Sequence, residues 1–169
     1  MISSLKTMGT ALGLEKKADE VISKLETAYK DAKNKLEQKD IDFNYIEAID
    51  LSTKDTASLY LFTDTSLHTA ILEKIGFKNL YKPDKFEEYG QTNINVENLV
   101  GLDKHNLIFI ADKESNVFNS NLISKDVLNN LGFYANNKIY YIGKNASPFG
   151  PLSTLTFVDT VVERFTNNE

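Results

Sequence analysis

The chain has 169 residues, no cysteine and a formal net charge of −5. This length suits one domain that buries roughly two-thirds of its unfolded surface, and the lack of cysteine excludes disulfides, thiolate metal sites and a cysteine nucleophile. The acidic balance and the single arginine, Arg164, argue against a nucleic-acid partner, which needs a basic face to neutralise phosphates.

The apolar segments are short. The longest wholly apolar run, residues 107–111, has five residues, whereas a bilayer span needs roughly 20. The first residues lack the basic start and the apolar core of a signal peptide. Read as a complete protein, the chain would be cytoplasmic; read as part of a longer one, its start says nothing about export.

The first forty residues predict two helices. Apolar residues at helical spacing stop at Gly13, and a second stripe with i, i+3, i+4, i+7 spacing continues over residues 15–39. At 1.5 Å per residue the second helix would be about 37 Å long. It could pack on a sheet, form half of a coiled coil, or join this domain to another that precedes it. We therefore divide the chain into a helical segment, residues 1–40, and a lobe, residues 41–169.

Short apolar runs and short helical patterns alternate after residue 40. Thr65 and Ser66 can cap a helix that Gly76 ends. Strands are predicted over residues 43–49, 58–62, 91–95, 107–111 and 138–142, and helices over residues 96–102, 124–131 and 152–165. This alternation predicts a three-layer α/β/α lobe with a mainly parallel sheet, preceded by the long helix.

Three loops follow predicted strands, where parallel sheets bind their ligands: residues 62–66, 112–121 and 143–150. The long loop 80–91 could join them. Aromatic side chains with polar neighbours mark these loops, and they offer flat apolar surface beside hydrogen-bonding groups. The pairs are Phe62 with Thr63, Tyr89 with Gln91, and Phe149 with Ser147. Each aromatic residue could instead anchor its loop against the domain.

Catalytic signatures are weak. His68 and His105 lie far apart and are interpreted as surface or capping residues rather than bases or ligands. The sequence has no G-x-S-x-G elbow and no glycine-rich phosphate loop. One alternative is a small α/β hydrolase-like enzyme that uses Asp112 or Asp64 on an activated water. Another is a sensor or interaction domain built on the same lobe.

The sequence resembles the C-terminal part of the iron–siderophore-binding proteins that feed ABC importers. The resemblance runs from about Leu5 to Phe165. The residues that carry it are Leu12 to Ala18; Thr65, Ser66, Leu72, Ile75, Gly76, Phe77 and Asn79; Tyr89, Gly90, Ile94, Val96, Glu97 and Leu99; Leu102 and Asp103 before Leu107 to Ile110; and Phe149, Gly150 and Pro151.

The resemblance implies half of a two-lobed, non-enzymatic binding protein. One long helix joins the lobes in that family, which favours the connecting role for residues 15–39 and implies that the N-terminal lobe is absent here. The family assigns the glutamate matching Glu97 to docking against permease arginines, and the aromatic residues matching Tyr89 and Phe149 to the ligand cleft. With Phe62, Thr63, Ser147 and Lys113, these two complete the expected ligand-binding set.

The ligand implied is a ferric siderophore whose iron is held by the chelator, so no cofactor and no protein metal site are expected. The candidate loops contain no arginine, only Lys113 and Lys144, and strongly anionic chelates usually call for guanidinium groups. Either a hydroxamate-type ligand binds, or cationic contacts come from the missing lobe. The full-length protein is expected to be an extracytoplasmic monomer, either a cell-surface lipoprotein or periplasmic.

Overall fold

The computed structural model describes residues 1–102 and 104–167. Asp103, which belongs to the resemblance, and the last two residues lie outside this part. The helices are α1 Ile2–Leu12, α2 Glu15–Glu37, α3 Leu67–Lys74, α4 Lys125–Asn130, α5 Gly132–Ala135 and α6 Pro151–Thr166. The strands are β1 Asn44–Asp50, β2 Ser58–Phe62, β3 Lys78–Asn79, β4 Gln91–Asn95, β5 Asn106–Ile110 and β6 Ile139–Tyr141. Two 3-10 helices span Val96–Leu99 and Val117–Asn119.

The strands form one mixed sheet in the order β4-β2-β1-β5-β6, and β3 pairs with the start of β1. The pairings β1–β5, β5–β6 and β1–β3 are parallel, whereas β2 runs antiparallel to both β1 and β4. All described strands except β2 therefore point the same way, and the prediction of a mainly parallel sheet is confirmed. The reversed β2 was not predicted, because apolar alternation carries no information on strand direction.

Two apolar layers enclose the sheet and confirm the three-layer prediction. On one face, α2, α3 and α6 pack around Tyr45, Ile108 and Ile110. On the other face, the two 3-10 helices, α4 and α5 pack around Leu107 and Phe109. Successive strand residues point to opposite faces, so the wholly apolar β5 supplies side chains to both layers.

Most element boundaries agree with the predictions, because caps specify them. Ser66 accepts a hydrogen bond from the Thr69 backbone N–H at 3.0 Å, and Ser124 caps α4 in the same way. Gly76 has a φ of 102°, which suits the residue that follows a helix. The helix predicted over residues 96–102 is shorter, since Val100 leaves the helical region at ψ 124°. The two-residue strand β3 and the four-residue helix α5 were missed.

The long helix belongs to the core of the lobe. Leu25, Tyr29, Ala32 and Leu36 of α2 are buried in the same cluster as α6. Helix α1 folds back on α2, and a Cβ on Gly9 would lie 2.6 Å from the Ala18 Cβ, so only glycine allows this approach. Within the described part of the chain, no helix combines the length and the hydropathy of a membrane span.

Candidate ligand-binding site

An open groove of about 980 Å³ runs along the edge strand β6. Its lining residues come from the carboxyl ends of β5 and β6, from α5 and from α6. They are Ala111, Asp112, Lys113, Tyr134, Asn137, Ile139, Tyr140, Tyr141, Gly143 and Arg164. One end of the groove thus coincides with the sheet edge at which loops 112–121 and 143–150 emerge, where the sequence predicted ligand contacts.

The groove carries more positive than negative charge. Lys113 and Arg164 line it together with Asp112. The Asp112 carboxylate accepts from the Lys144 ammonium at 2.9 Å, which leaves Lys113 and Arg164 without an acid partner among the described residues. Sequence reasoning missed Arg164, because it lies 51 positions after Lys113 on α6 and only the packing of α6 brings it here.

Three tyrosines supply the flat surfaces of the groove. Tyr140 stacks on Phe165 of α6 with ring centroids 3.7 Å apart, and burial raises its phenol pKa. Burial, reinforced by the neighbouring Tyr134, raises the pKa of Tyr141 to about 12, against an Asn116 hydrogen bond that lowers it. Both phenols therefore stay protonated near neutral pH and can act as hydrogen-bond donors.

The loop that carries Lys113 is held by buried polar groups. The Asn116 side-chain amide donates to the Asp112 and Lys113 carbonyls at 2.8 and 2.9 Å. Asp50, at the end of β1, accepts from the Val117 backbone N–H at 2.9 Å. These positioning residues were missed too; the only sequence signal was an acid that directly follows an apolar strand.

Phe149 and Ser147 lie in the loop between β6 and α6. The Phe149 ring is 91% exposed and therefore does not anchor its loop against the domain. Ser147 is half-buried, and its backbone carbonyl accepts from the Phe149 N–H at 3.1 Å. Both residues follow the carboxyl end of β6 and therefore lie at the same end of the sheet as Lys113.

Tyr89 lies in the loop before β4, beside the first turn of α3. Its ring is 83% exposed, and it precedes Gln91, the first residue of β4, which pairs with Phe62 at the end of β2. Phe62 itself lies level with the middle of β1. Because β2 is antiparallel to β1, loops 62–66 and 80–91 leave the sheet near its middle, over the first turn of α3, and not beside the ends of β5 and β6.

Phe62 and Thr63 are not at the surface, where the sequence predicted them to contact the ligand. Both are buried: the Phe62 ring stacks on the His68 imidazole with centroids 4.1 Å apart, and the Thr63 hydroxyl contacts that of Thr65 at 3.0 Å. Neither side chain is available to a ligand in this conformation, because the reversed β2 directs its last residue into the core between α3 and α6.

The interpretation of His68 as a surface or capping residue is wrong. Its imidazole is buried, and Nδ1 lies 2.7 Å from Oε1 of Glu47, a carboxyl in the middle of β1. The available signal was Glu47 itself, since an acid inside a predicted apolar strand needs a partner. His105 is partly exposed, 3.6 Å from Asp42.

The acids considered for catalysis are engaged by lysines. Asp64 contacts the Lys82 ammonium, and Asp112 contacts Lys144. Across residues 1–102 and 104–167, no three histidine or acidic side chains converge in a way that could hold a metal ion.

Glu97 is exposed in the first turn of the 3-10 helix that follows β4. Since β4 points the same way as β1, this carboxylate lies at the same sheet end as Lys113 but at the opposite edge. Four strand spacings of about 4.8 Å separate β4 from β6, which amounts to roughly 19 Å across the sheet.

The chain belongs to a family of binding proteins. The sequence model of the Periplasmic binding protein family matches residues 1–146. This match covers the long helix, the sheet and the groove-lining residues up to Gly143. A comparison with curated proteins finds no match.

Solved structures share this fold. The Fe3+–Desferal-bound siderophore-binding protein FhuD from Vibrio cholerae superposes with a TM-score of 0.77 at 18% identity, covering 97% of this chain and 60% of that one. SirA from Staphylococcus aureus superposes with a TM-score of 0.72 at 18% identity, covering 100% of this chain and 65% of that one. A periplasmic binding protein component of a Fep/Fec-like ferrichrome ABC transporter from Bacillus subtilis superposes with a TM-score of 0.69 at 20% identity. The match covers 98% of this chain and 63% of that one. The chain thus spans a little under two-thirds of the length of these proteins.

Proposed function

We propose that this chain is the C-terminal part of the substrate-binding component of an ABC importer for ferric siderophores. The family match over residues 1–146 carries the proposal, and the names of the solved proteins with the same fold support the ligand class. In the full-length protein the domain would be extracytoplasmic, in the periplasm or on a surface lipoprotein. It would deliver its ligand to a membrane permease as a monomer and catalyse no reaction.

We place the ligand at the carboxyl ends of β5 and β6. Lys113 supplies positive charge there, while Phe149 and Ser147 offer an exposed ring and a hydroxyl in the next loop. Arg164 lines the same groove from the last turn of α6. Tyr89 lies beside the first turn of α3, and its contact with the ligand is tested separately. A hydroxamate chelate, closer to neutral than a catecholate or citrate chelate, suits the modest charge of this groove.

The iron is held by the chelator in this proposal. A protein ligand to Fe³⁺ at this groove would have to be a phenolate or a carboxylate. Burial keeps the Tyr140 and Tyr141 phenols protonated by raising their pKa, and Asp112 is paired with Lys144. The groove residues are thus better suited to donate hydrogen bonds to chelator oxygens than to replace them.

The test is a titration of the 169-residue chain with a ferric hydroxamate, followed by tyrosine fluorescence. The chain has eight tyrosines and no tryptophan, so groove phenols contribute directly to the emission. We expect saturable quenching with weak affinity, because the groove is open and buries only part of a ligand; the iron-free chelator is the control. Absence of saturable quenching up to millimolar ferric hydroxamate, citrate and catecholate alike would refute the proposal.

Variants then locate the site. Phe149→Ala and Lys113→Ala should each weaken binding several-fold, since a stacked ring or a cation near the ligand contributes about 1 kcal/mol. Tyr89→Ala should do the same only if Tyr89 reaches the ligand. Phe86→Ala is the matched control, because Phe86 is 80% exposed in the same loop as Tyr89 and should leave the affinity unchanged.

A further inference from the structure

Glu47 is a carboxyl in the middle of the central strand β1 and has no solvent exposure. It pairs in register with Ile108 of β5 and faces the layer of α2, α3 and α6. Its Oε1 lies 2.7 Å from His68 Nδ1, whereas Oε2 has no hydrogen-bond partner among the residues that the structure describes. A carboxylate in such a place is costly unless a partner neutralises it.

Apolar rings enclose the pair. Phe62 stacks on the His68 imidazole at 4.1 Å, and Phe157 of α6 meets it edge-on at 5.3 Å. The Tyr45 phenol lies on the same face of β1; burial and the Glu47 charge both raise its pKa, so it stays neutral.

The remaining acids on the three helices of this layer and in the loop before α3 are exposed. They are Glu73 on α3, Asp64 in the preceding loop, Asp159 and Glu163 on α6, and Glu15, Asp19, Glu20, Glu26, Asp31 and Glu37 on α2. The adjacent strand β5 presents Ile108 and Ile110 to this layer. Among the described residues, His68 is therefore the titratable group that contacts the Glu47 carboxyl, and the number of protons on the pair sets how much net charge is buried.

The loop that bears Tyr89 packs against the first turn of α3, which carries His68. His68 is the second residue of α3, two positions after the cap Ser66. Gly90 packs so closely that a Cβ would lie 2.8 Å from the Ser66 backbone. The Gly90 carbonyl accepts from the Thr63 N–H at 2.9 Å, and the Thr65 hydroxyl donates to the Glu87 carbonyl at 3.2 Å.

We propose that Glu47 and His68 hold one shared proton and act as a pH-sensitive latch on the first turn of α3 and the Tyr89 loop. With one proton the pair has no net charge, whichever partner carries it. Removal of this proton leaves a buried carboxylate, and addition of a second leaves a buried imidazolium. Either change favours release of α3 from the sheet. The link to ligand binding rests on the proposed function, but the latch does not.

The expected pH dependence follows from proton counts. In the unfolded chain, glutamate and histidine titrate near about 4.3 and about 6.5. Burial raises the pKa of Glu47 in the folded chain, which agrees with retention of a proton there. Above about pH 6.5 the folded pair binds one proton more than the unfolded pair, so the folding constant falls with rising pH, by up to about tenfold per unit. Below about pH 4.3 it binds one fewer, and stability falls with falling pH.

The test compares urea unfolding of three proteins between pH 6.5 and 8.5. Glu47→Gln replaces the carboxyl by a neutral amide that can still hydrogen-bond to His68. We expect the wild-type folding constant to fall up to about tenfold more per pH unit than that of Glu47→Gln. His105→Asn, which removes the partly exposed histidine beside Asp42, should keep the wild-type slope. Equal slopes for the wild type and Glu47→Gln would overturn the proposal.

A second measurement needs only the wild-type chain. Hydrogen exchange by NMR, corrected for the intrinsic pH dependence, reports the protection of the Thr63 and Gly90 amides against that of the Leu25 and Tyr29 amides inside α2. We expect the loop amides to be less protected than the helix amides, because the latch opens without global unfolding, and to lose protection by up to about tenfold per pH unit above pH 6.5. Loop protection that does not change with pH, or that equals the helix protection at every pH, would contradict the latch. No ligand is present in either test, so failure of the siderophore proposal would leave the result unaffected.

Discussion

Gly90 shows how a single residue connects the Tyr89 loop to the core. Its φ of 69° lies in the left-handed region, and the space where a side chain would begin is occupied by the Ser66 backbone. The sequence shows the Tyr89-Gly90 pair but not this reason for it. Both the positive φ and the close approach of the Ser66 backbone require glycine at position 90.

Gly90→Ala should therefore lower the free energy of unfolding more than a glycine-to-alanine change at a site where the positive φ is the only obstacle. The control is Gly143→Ala, where φ is 87° and no atom of the described part of the chain lies within 4 Å of the new Cβ. We expect Gly143→Ala to lower the free energy of unfolding by about 1–2 kcal/mol and Gly90→Ala to lower it by clearly more. Urea unfolding measures both. Equal losses would mean that the loop moves away from Ser66 at little cost.

At the scale of elements, the long helix α2 serves the lobe directly. The sequence predicted residues 15–39, and the helix spans Glu15–Glu37; its apolar stripe packs against α6. Helix α1 differs, because Gly9 is its only buried residue. Both helices were predicted by the same periodicity, yet only the tertiary contacts distinguish a core helix from a peripheral one.

Leu36→Ala and Leu12→Ala test this difference with the same chemical change. Leu36 has no exposed surface, whereas Leu12 is 70% exposed. We expect Leu36→Ala to lower the free energy of unfolding by about 2–5 kcal/mol through loss of burial and cavity formation. Leu12→Ala should change it by less than about 0.5 kcal/mol. A similar loss for Leu12 would indicate that α1 contributes to the core.

At the scale of the whole molecule, the sheet separates two surfaces. The groove lies along β6, and Glu97 lies beyond β4, roughly 19 Å away across the strands. In the proposed function, a ligand at one edge and a permease at the other could then be contacted at the same time. A carboxylate on an exposed first turn can make charge-assisted hydrogen bonds with arginines of a partner, and salt would weaken them.

Glu97→Gln in the complete protein should reduce siderophore uptake by cells several-fold while leaving ligand affinity unchanged. Glu88→Gln is the matched control, because Glu88 is also an exposed acid but lies in the Tyr89 loop at the other end of β4. Uptake and fluorescence titration are measured on the same variants. A loss of affinity in Glu97→Gln would place Glu97 in the ligand site instead.

Local sequence patterns suffice to predict the class of the fold and most helices and strands, because periodicity, caps such as Ser66 and stops such as Gly76 act over a few residues. They also marked Tyr89 and Phe149, which are exposed. The direction of β2, the burial of Phe62 and Thr63, the Glu47–His68 pair and the arrival of Arg164 at the groove were decided only by the tertiary structure. Each depends on contacts between segments distant in the chain, which local patterns do not encode.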